Sequence, residues 1–282
     1  MSIKSRMRSA IGAVGQSVWL APLIEPPSVR RVLEKLPGGK SLYPTGWNRI
    51  HPYDRLNGTD TSGTVPLEDF SVDAAALEGA HLYGGSQPGV LREILKTLPA
   101  LEACLFLDLG CGKGRPLFVA AEFPFREIIG VELSPPLAAI ASRNADIMAR
   151  RYADRALVRI VTGDATAFPL PAGDFVLFLY NPFGKALIER VVASVEAALS
   201  AERRRIYVVY YNPVFGACFD ASKRLSRRFA RTLPYAAEEL GYGPDRADPV
   251  VIWEPGDGRP QPGTAARIEI TIPEMRSELV EP

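Results

Sequence analysis

The sequence predicts an α/β fold: a doubly wound, mostly parallel seven-stranded sheet with an antiparallel edge strand, preceded by an irregular, partly helical N-terminal extension. Three observations support this prediction. Short apolar runs alternate with amphipathic helical segments from residue 88 onward, a glycine cluster follows the first apolar run, and two extended runs occur near the C-terminus. Repeated strand–helix units specify a parallel sheet with helices on both faces.

The first half of the predicted sheet lies within residues 88–161. Residues 88–98 place apolar side chains on one face of a helix, and residues 104–109 form a continuous apolar run typical of a buried strand. Ser134, followed by two prolines, predicts a helix start with serine as the N-cap. The other predicted elements of this half are a helix over 117–123 and strands over 128–132 and 157–161.

The second half continues the alternation. The apolar runs at 175–180 and 206–211 predict strands, and the pattern predicts helices over 186–199 and 221–232. Two extended runs follow, over 250–253 and 266–272, and a Gly/Pro-rich stretch joins them. This pair predicts a hairpin, which would place an antiparallel strand at one edge of the sheet.

Residues 1–80 differ in character from residues 81–282 and are predicted to form a separate extension. Residues 25–80 are rich in Pro, Gly, Asp and Thr, with short helical runs over 28–36 and 72–78. The apolar stretch over 10–24 follows three basic residues, but polar residues interrupt it and no small-x-small cleavage site follows. It predicts a helix packed on the body of the protein, without membrane attachment, in a cytoplasmic protein.

Composition limits the function classes. The 282 residues carry 33 basic and 32 acidic side chains, so no overall charge attracts nucleic acid or an anionic membrane. The arginine runs at 203–205 and 227–228 are short and predicted to be solvated, so nucleic acid is not an expected partner. Three cysteines without paired spacing and only two histidines predict no metal site.

The glycine cluster lies at the end of the first predicted strand and runs from Asp108 to Gly114. Gly110, Gly112 and Gly114 allow a sharp turn and a close approach of a ligand to the backbone. The dinucleotide fingerprint G-x-G-x-x-G/A requires a small residue at position 115, where this sequence has arginine. A carboxylate beside the loop would repel a pyrophosphate but suits a ligand with ammonium and sulfonium groups. An NAD(P)-dependent oxidoreductase therefore stays a distant alternative.

This run resembles the first motif of class I (Rossmann-like) S-adenosylmethionine (SAM)-dependent methyltransferases, and residues 54–68 resemble the stretch ahead of the core in a group of uncharacterised bacterial methyltransferase-domain proteins. The resemblance to the class I core covers about residues 81–282. It implies that Glu132, which ends the second strand, holds the ribose hydroxyls, and that Asp164, which follows the third strand, meets the adenine amino group. The cofactor would be SAM. The residues assigned to its site in the core are Asp108, Gly110, Cys111, Gly112, Gly114, Glu132, Leu133, Asp164, Ala165 and Asn181.

Two further candidate cofactor residues, Tyr83 and Ser86, precede the first core helix. In related methyltransferases an aromatic and a hydroxyl residue at this place close over the methionine end of SAM. The alternative is a glycine-rich turn that caps the helix, with Ser86 near the N-cap. The sequence does not decide between the two.

The candidate catalytic residues end the fourth and fifth predicted strands. Asn181-Pro182-Phe183 resembles the (Asn/Asp)-Pro-Pro-(Tyr/Phe) motif of amino-group methyltransferases, although the second proline is missing. In that family the Asn side chain and a backbone carbonyl accept hydrogen bonds from the substrate nitrogen. Tyr211 and Asn212 end the next strand in a similar way, and the two copies could form a polar cup for an amine. Asn-Pro after a strand is otherwise a simple turn initiator.

The sequence therefore predicts methyl transfer from SAM, most readily to an amine nitrogen of a small molecule or a protein side chain, because no evident His, Lys or paired-carboxylate base accompanies Asn181. The alternatives are a small-molecule O-methyltransferase and a non-catalytic SAM-binding module. Residues 1–80 would form a lid over the pocket or a docking surface for a protein substrate. The expected ligands are SAM and S-adenosylhomocysteine (SAH); a homodimer is left open, and the sequence does not name the acceptor.

Overall fold

The computed structural model describes residues 7, 10–12, 14, 15, 17, 20–24, 26–42, 46–73, 77, 79–243 and 245–258. Within these ranges, short helices and turns come first and an alternating α/β body follows. The helices are α1 (Ala21–Ile24), α2 (Pro27–Leu33), α3 (Pro52–Asn57), α4 (Pro88–Leu95), α5 (Arg115–Ala120), α6 (Pro135–Arg151), α7 (Lys185–Ala201) and α8 (Ala217–Asp220).

A seven-stranded sheet forms the centre of the described part of the chain. Its strands are β1 (Leu105–Leu109), β2 (Glu127–Glu132), β3 (Val158–Thr162), β4 (Phe175–Tyr180), β5 (Ile206–Tyr211), β6 (Leu225–Pro234) and β7 (Ala247–Pro255). They are arranged in the order β3-β2-β1-β4-β5-β7-β6. The first five are parallel, and β7 runs antiparallel to both β5 and β6. Connections diverge in opposite directions from β1, which places a ligand crevice at the carboxyl ends of β1 and β4.

Local sequence explains where the helix after β2 begins. The Ser134 side chain accepts a hydrogen bond from the Leu137 N–H at 3.4 Å, and prolines occupy the first helical turn. One face of α6 is apolar and buried, with Leu137, Ala141 and Met148 packed inward. Because the cap fixes the start of α6, the residues at the end of β2 are held at the crevice.

Apolar side chains alternate between the two faces of the sheet and build one core layer on each. Phe106 and Phe178 lie on one face, where their rings are 5.9 Å apart, and Leu105 and Leu107 lie on the other. These central strands are almost fully buried, as is expected for parallel strands covered by helices on both sides. The sheet is therefore a rigid support for the loops at its carboxyl edge.

Two of the sequence-based assignments are wrong. Residues 221–232, predicted as a helix, lie largely in β6; Leu225, Phe229 and Leu233 are four residues apart, a spacing compatible with both a helix and a strand. Residues 250–253 were predicted to pair with 266–272. They lie in β7, which pairs with β6 along one edge and with β5 along the other. The segment 266–272 lies outside the described residues, as do parts of 10–24 and 72–78.

None of the helices in the described ranges has the length and hydrophobicity needed to cross a membrane.

Candidate functional site

A pocket of about 880 Å³, partly open to solvent, lies at the carboxyl edge of the sheet. Segments from four strand ends and from the stretch before α4 contribute to its walls. These segments are residues 108 and 110–112 at the end of β1, 132 and 133 at the end of β2, 164 and 165 after β3, 180–183 at the end of β4, and 80–86. The fold thus brings most of the sequence-predicted site residues together.

The glycine loop turns sharply between β1 and α5. Gly110, Gly112 and Gly114 all have left-handed backbone conformations, with φ values of 87°, 55° and 90°. L-residues with a side chain rarely adopt these values, which explains the glycines. The N–H groups of Gly110 and Cys111 both donate to the Val131 carbonyl, at 2.9 and 3.0 Å, so the loop is fastened to β2.

Glu132 connects the glycine loop to the start of α6. Its side chain is buried, Oε2 accepts a hydrogen bond from the Gly112 N–H at 2.7 Å, and Oε1 accepts one from the Ser134 N–H at 2.8 Å. Burial raises the pKa of Glu132, and the two backbone donors oppose that shift. Each carboxylate oxygen can accept a further hydrogen bond, so Glu132 can also bind hydroxyl groups from the pocket.

Asp108 is the second buried carboxylate of the pocket wall, at 1% exposure. No donor among the described residues forms a hydrogen bond with its Oδ2. Burial and, secondly, the nearby charge of Glu132 raise the pKa of Asp108 well above its usual range. A buried carboxylate without a donor is costly, and a cationic ligand in the pocket would relieve that cost.

Asp164 and its neighbours lie at the end of β3. The Asp164 side chain is exposed, and Oδ1 accepts hydrogen bonds from the N–H and the hydroxyl of Thr166, both at 2.8 Å. Ala165 is buried and lines the pocket, together with Leu133. These contacts fix Asp164 at the rim, and its Oδ2 accepts no hydrogen bond from the residues that the structure describes.

The stretch before α4 covers the glycine loop. The Tyr83 ring packs against Gly112, and its hydroxyl donates to the Thr61 carbonyl at 2.7 Å. Ser86 is buried, and its carbonyl accepts a hydrogen bond from Arg115 Nη1 at 2.9 Å. The contacts with Thr61 and Arg115 were not foreseen from the sequence, because no local motif marks them.

Asn181 follows β4 with a left-handed backbone, at a φ of 41°, and is 4% exposed. Its Oδ1 accepts a long hydrogen bond of 3.4 Å from the Tyr210 hydroxyl. Its main-chain carbonyl accepts one from His81 Nδ1 at 2.9 Å. Because a carbonyl can only accept, the proton lies on Nδ1, and in the neutral ring Nε2 carries a lone pair.

His81 corrects the expectation that no histidine accompanies Asn181. The two residues are 100 positions apart in the chain. The main chain brings them together: Gly184 N–H donates to the Gly79 carbonyl at 2.6 Å, and a β-bridge joins Ala80 to Phe183. No local sequence motif predicts a contact between residues that are 100 positions apart.

Tyr211 and Asn212 lie beside this turn but do not line the pocket. Tyr211 is opposite Tyr180 in the parallel register, and their rings stack at 4.7 Å. Asn212, at a φ of 52° and 5% exposure, repeats the left-handed turn of Asn181. Pro182 and Phe183 do line the pocket. Of the two Asn-Pro turns, the one at Asn181 therefore lines the pocket and the one at Asn212 does not.

In the part of the chain that the structure describes, no group of three His, Cys, Asp or Glu side chains is placed to hold a metal ion. The pocket lining combines two buried carboxylates with an amide, an imidazole and aromatic rings.

Residues 106–202 match a family model described as a methyltransferase domain, which spans about a third of the chain, from β1 to the end of α7. No curated protein matches the chain significantly.

Among solved structures, YcgJ from Bacillus subtilis is 16% identical, with 59% of this chain and 97% of that chain covered and a TM-score of 0.42. An RNA methyltransferase from Salinibacter ruber, in complex with S-adenosyl-L-homocysteine, is 19% identical, with 66% and 99% covered and a TM-score of 0.39. The tRNA methyltransferase TrmK from B. subtilis is 13% identical, with 61% and 67% covered and a TM-score of 0.42. Likenesses of this degree carry no argument about substrate.

Proposed function

We propose that this class I SAM-dependent methyltransferase methylates an amine nitrogen and holds its cofactor at the carboxyl ends of β1, β2 and β3. The observation that carries the cofactor assignment is the pair of buried carboxylates, Asp108 and Glu132. Asp108 Oδ2 has no donor among the described residues, which fits a ligand with an ammonium group and a sulfonium group.

The cofactor assignment extends to the rest of this wall. We assign Glu132 to the ribose hydroxyls and Asp164 to the adenine, with Leu133 and Ala165 as apolar contacts. Position 110 has no room for a side chain, because a Cβ at Gly110 would lie 2.8 Å from Pro182. Tyr83 and Ser86 close this end of the pocket. When bound, SAM supplies a methyl group activated by the positive sulfonium.

Asn181, which lines the same pocket, is proposed to orient the acceptor. An amide oxygen has two lone pairs, so Asn181 Oδ1 can accept an amine N–H in addition to the long contact from Tyr210. Tyr180 and Phe183 line the same region with aromatic rings, which favour a partly cationic amine. We assign Tyr211 to support of the Tyr180 ring and Asn212 to the neighbouring turn.

Methyl transfer with SAM labelled in its methyl group tests this proposal directly. The protein is incubated with labelled SAM and extract fractions that separate small molecules from macromolecules, and mass spectrometry identifies the methylated atom. Label on nitrogen supports the proposal. SAM binding without transfer to any fraction would instead indicate a non-catalytic binding module.

His81 favours a second candidate, O-methylation of a small molecule. A hydroxyl acceptor must lose its proton as the new oxygen–carbon bond forms, and His81 lines the pocket with its Nδ1 bonded to the Asn181 carbonyl, which leaves Nε2 as the basic nitrogen of the neutral ring. For an aliphatic hydroxyl, which does not ionise in water at accessible pH, His81→Asn should abolish turnover at every pH. For an amine, raising the pH should restore turnover in the variant, because the free amine forms without a base. The two pH profiles separate an amine from an aliphatic hydroxyl acceptor.

A further inference from the structure

Residues 51–62 make a network of buried polar contacts with the helix that follows the glycine loop. Asp54 and Arg115 are 3% and 2% exposed, and Arg115 Nη2 lies 3.6 Å from Asp54 Oδ2. The Asp54 carboxylate also accepts hydrogen bonds from neighbours in its own segment, namely the Thr59 hydroxyl, the Thr61 N–H and hydroxyl, and the Ser62 hydroxyl. Both charges are therefore paired, and the Asp54 carboxylate is hydrogen-bonded to protein groups at both oxygens.

Arg115 connects this network to the two residues that cover the glycine loop. Nε donates to the Thr61 hydroxyl at 2.7 Å and Nη2 to the Thr61 carbonyl at 2.9 Å. The same carbonyl accepts a hydrogen bond from the Tyr83 hydroxyl at 2.7 Å, and Arg115 Nη1 donates one to the Ser86 carbonyl at 2.9 Å. The guanidinium also packs against Gly85, where a Cβ would lie 2.6 Å from Nη1.

We propose that Arg115 is a positioning residue for the cofactor pocket, and that residues 51–62 are a fixed support behind the residues that line it. A mobile lid would have to separate Asp54 from Arg115 and leave buried charges without partners. Only a guanidinium presents donors in a planar fork that can reach Thr61 and Ser86 together. The inference rests on the proposed cofactor assignment, but it holds for either acceptor atom.

SAH binding, measured by calorimetry on the full chain, tests the positioning role. Arg115→Met should weaken SAH binding by at least tenfold, and Arg115→Lys should also weaken it, because an ammonium cannot replace the fork. Val195→Ala is the matched control: it creates a cavity in the buried core away from the pocket and should lower Tm with SAH affinity within twofold of the unaltered protein. Unchanged SAH affinity in both Arg115 variants would overturn the inference.

Hydrogen exchange on the unaltered protein tests, without any substitution, whether residues 51–62 are a fixed support. The Thr61 and Tyr83 amides donate to Asp54 Oδ1 and to the Val65 carbonyl, both at 3.0 Å. We expect both amides to exchange slowly before ligand is added, with little change on adding SAH. Fast exchange that SAH slows tenfold would show a closing lid and overturn the inference. Absence of SAH binding to the unaltered protein would instead contradict the cofactor assignment itself.

Discussion

The aromatic ring of Tyr83 lies directly on the backbone of Gly112, so closely that an added Cβ at Gly112 would be 2.3 Å from two ring atoms. Gly112 also has a φ of 55° and donates its N–H to Glu132. Glycine is thus required at position 112 by the backbone conformation and by the approach of Tyr83. The contact joins the segment before α4 to the loop that follows β1.

Gly112→Ala should displace Tyr83 and weaken SAH binding by at least tenfold. The left-handed conformation alone should cost about 1–2 kcal/mol of unfolding free energy. Calorimetry and thermal unfolding measure the two effects. Gly163→Ala is the control, because a Cβ there meets open space and should change neither quantity appreciably. Normal SAH affinity in Gly112→Ala would show that the Tyr83 contact is dispensable.

Asp108 should make the ligand-free protein less stable as the pH rises. Burial and the charge of Glu132 raise the pKa of Asp108 in the folded protein. The stability that protonated Asp108 contributes is therefore complete below the pKa of an unfolded aspartate, and it is lost as the pH rises through the folded pKa. Asp108→Asn should therefore raise Tm at neutral pH. It should also weaken SAM binding by about 10- to 100-fold, the range for a hydrogen bond to a charged group.

Thermal unfolding across pH with and without SAM checks both effects, with exposed Asp146→Asn as the control. Glu132 is present in both proteins and its pKa is shifted in the same direction, so the difference measures Asp108 together with its electrostatic coupling to Glu132. A lower Tm for Asp108→Asn at neutral pH would contradict the interpretation.

Glu132→Ala should abolish the increase in Tm that SAM and SAH produce. The substitution removes the acceptor of the Gly112 and Ser134 N–H groups and the proposed partner of the ribose. Thermal unfolding at several ligand concentrations is the measurement, and a nicotinamide nucleotide serves as the comparison ligand. A shift with that nucleotide and none with SAM would indicate an oxidoreductase.

Asn181→Gly should lower turnover by at least a hundredfold and leave SAH affinity within about threefold of the unaltered protein. Glycine accepts the φ of 41° without strain, so the variant removes the amide and little else. Asn212→Gly, at the matching turn outside the pocket lining, should lose less turnover. Equal losses would place Asn212 in the acceptor site as well.

His51 should make the protein less stable in mild acid. Burial, and then the charge of Arg115, lower the pKa of His51 to about 4. The stability that neutral His51 contributes is complete above the pKa of an unfolded histidine, and it is lost as the pH falls through the folded pKa of about 4. His51→Asn keeps an acceptor for the Tyr53 N–H at the helix start but does not titrate.

Unfolding free energies from urea titrations at pH 7 and pH 4.5 provide the measurement. The unaltered protein should lose about 2–3 kcal/mol more than His51→Asn over this interval, at roughly 1.4 kcal/mol per pH unit. Equal losses in the two proteins would mean that His51 is protonated in the folded state.

Much of the sheet was predictable because its central strands are buried on both faces. The runs at 175–180 and 206–211 match β4 and β5 to the residue, since only a fully buried strand is apolar along its whole length. The edge strand β6 was not predictable, because its half-exposed pattern also fits a helix.

The sequence by itself determined the glycine loop and the carboxylates beside it, because Asp108 and the three glycines act through the local backbone of one strand-to-helix turn. Only the tertiary structure decided that His81 meets Asn181 and that Arg115 binds Asp54 and Thr61. Those contacts join segments 54 to 100 residues apart. Such contacts depend on how the chain packs around the sheet, and no local pattern encodes them.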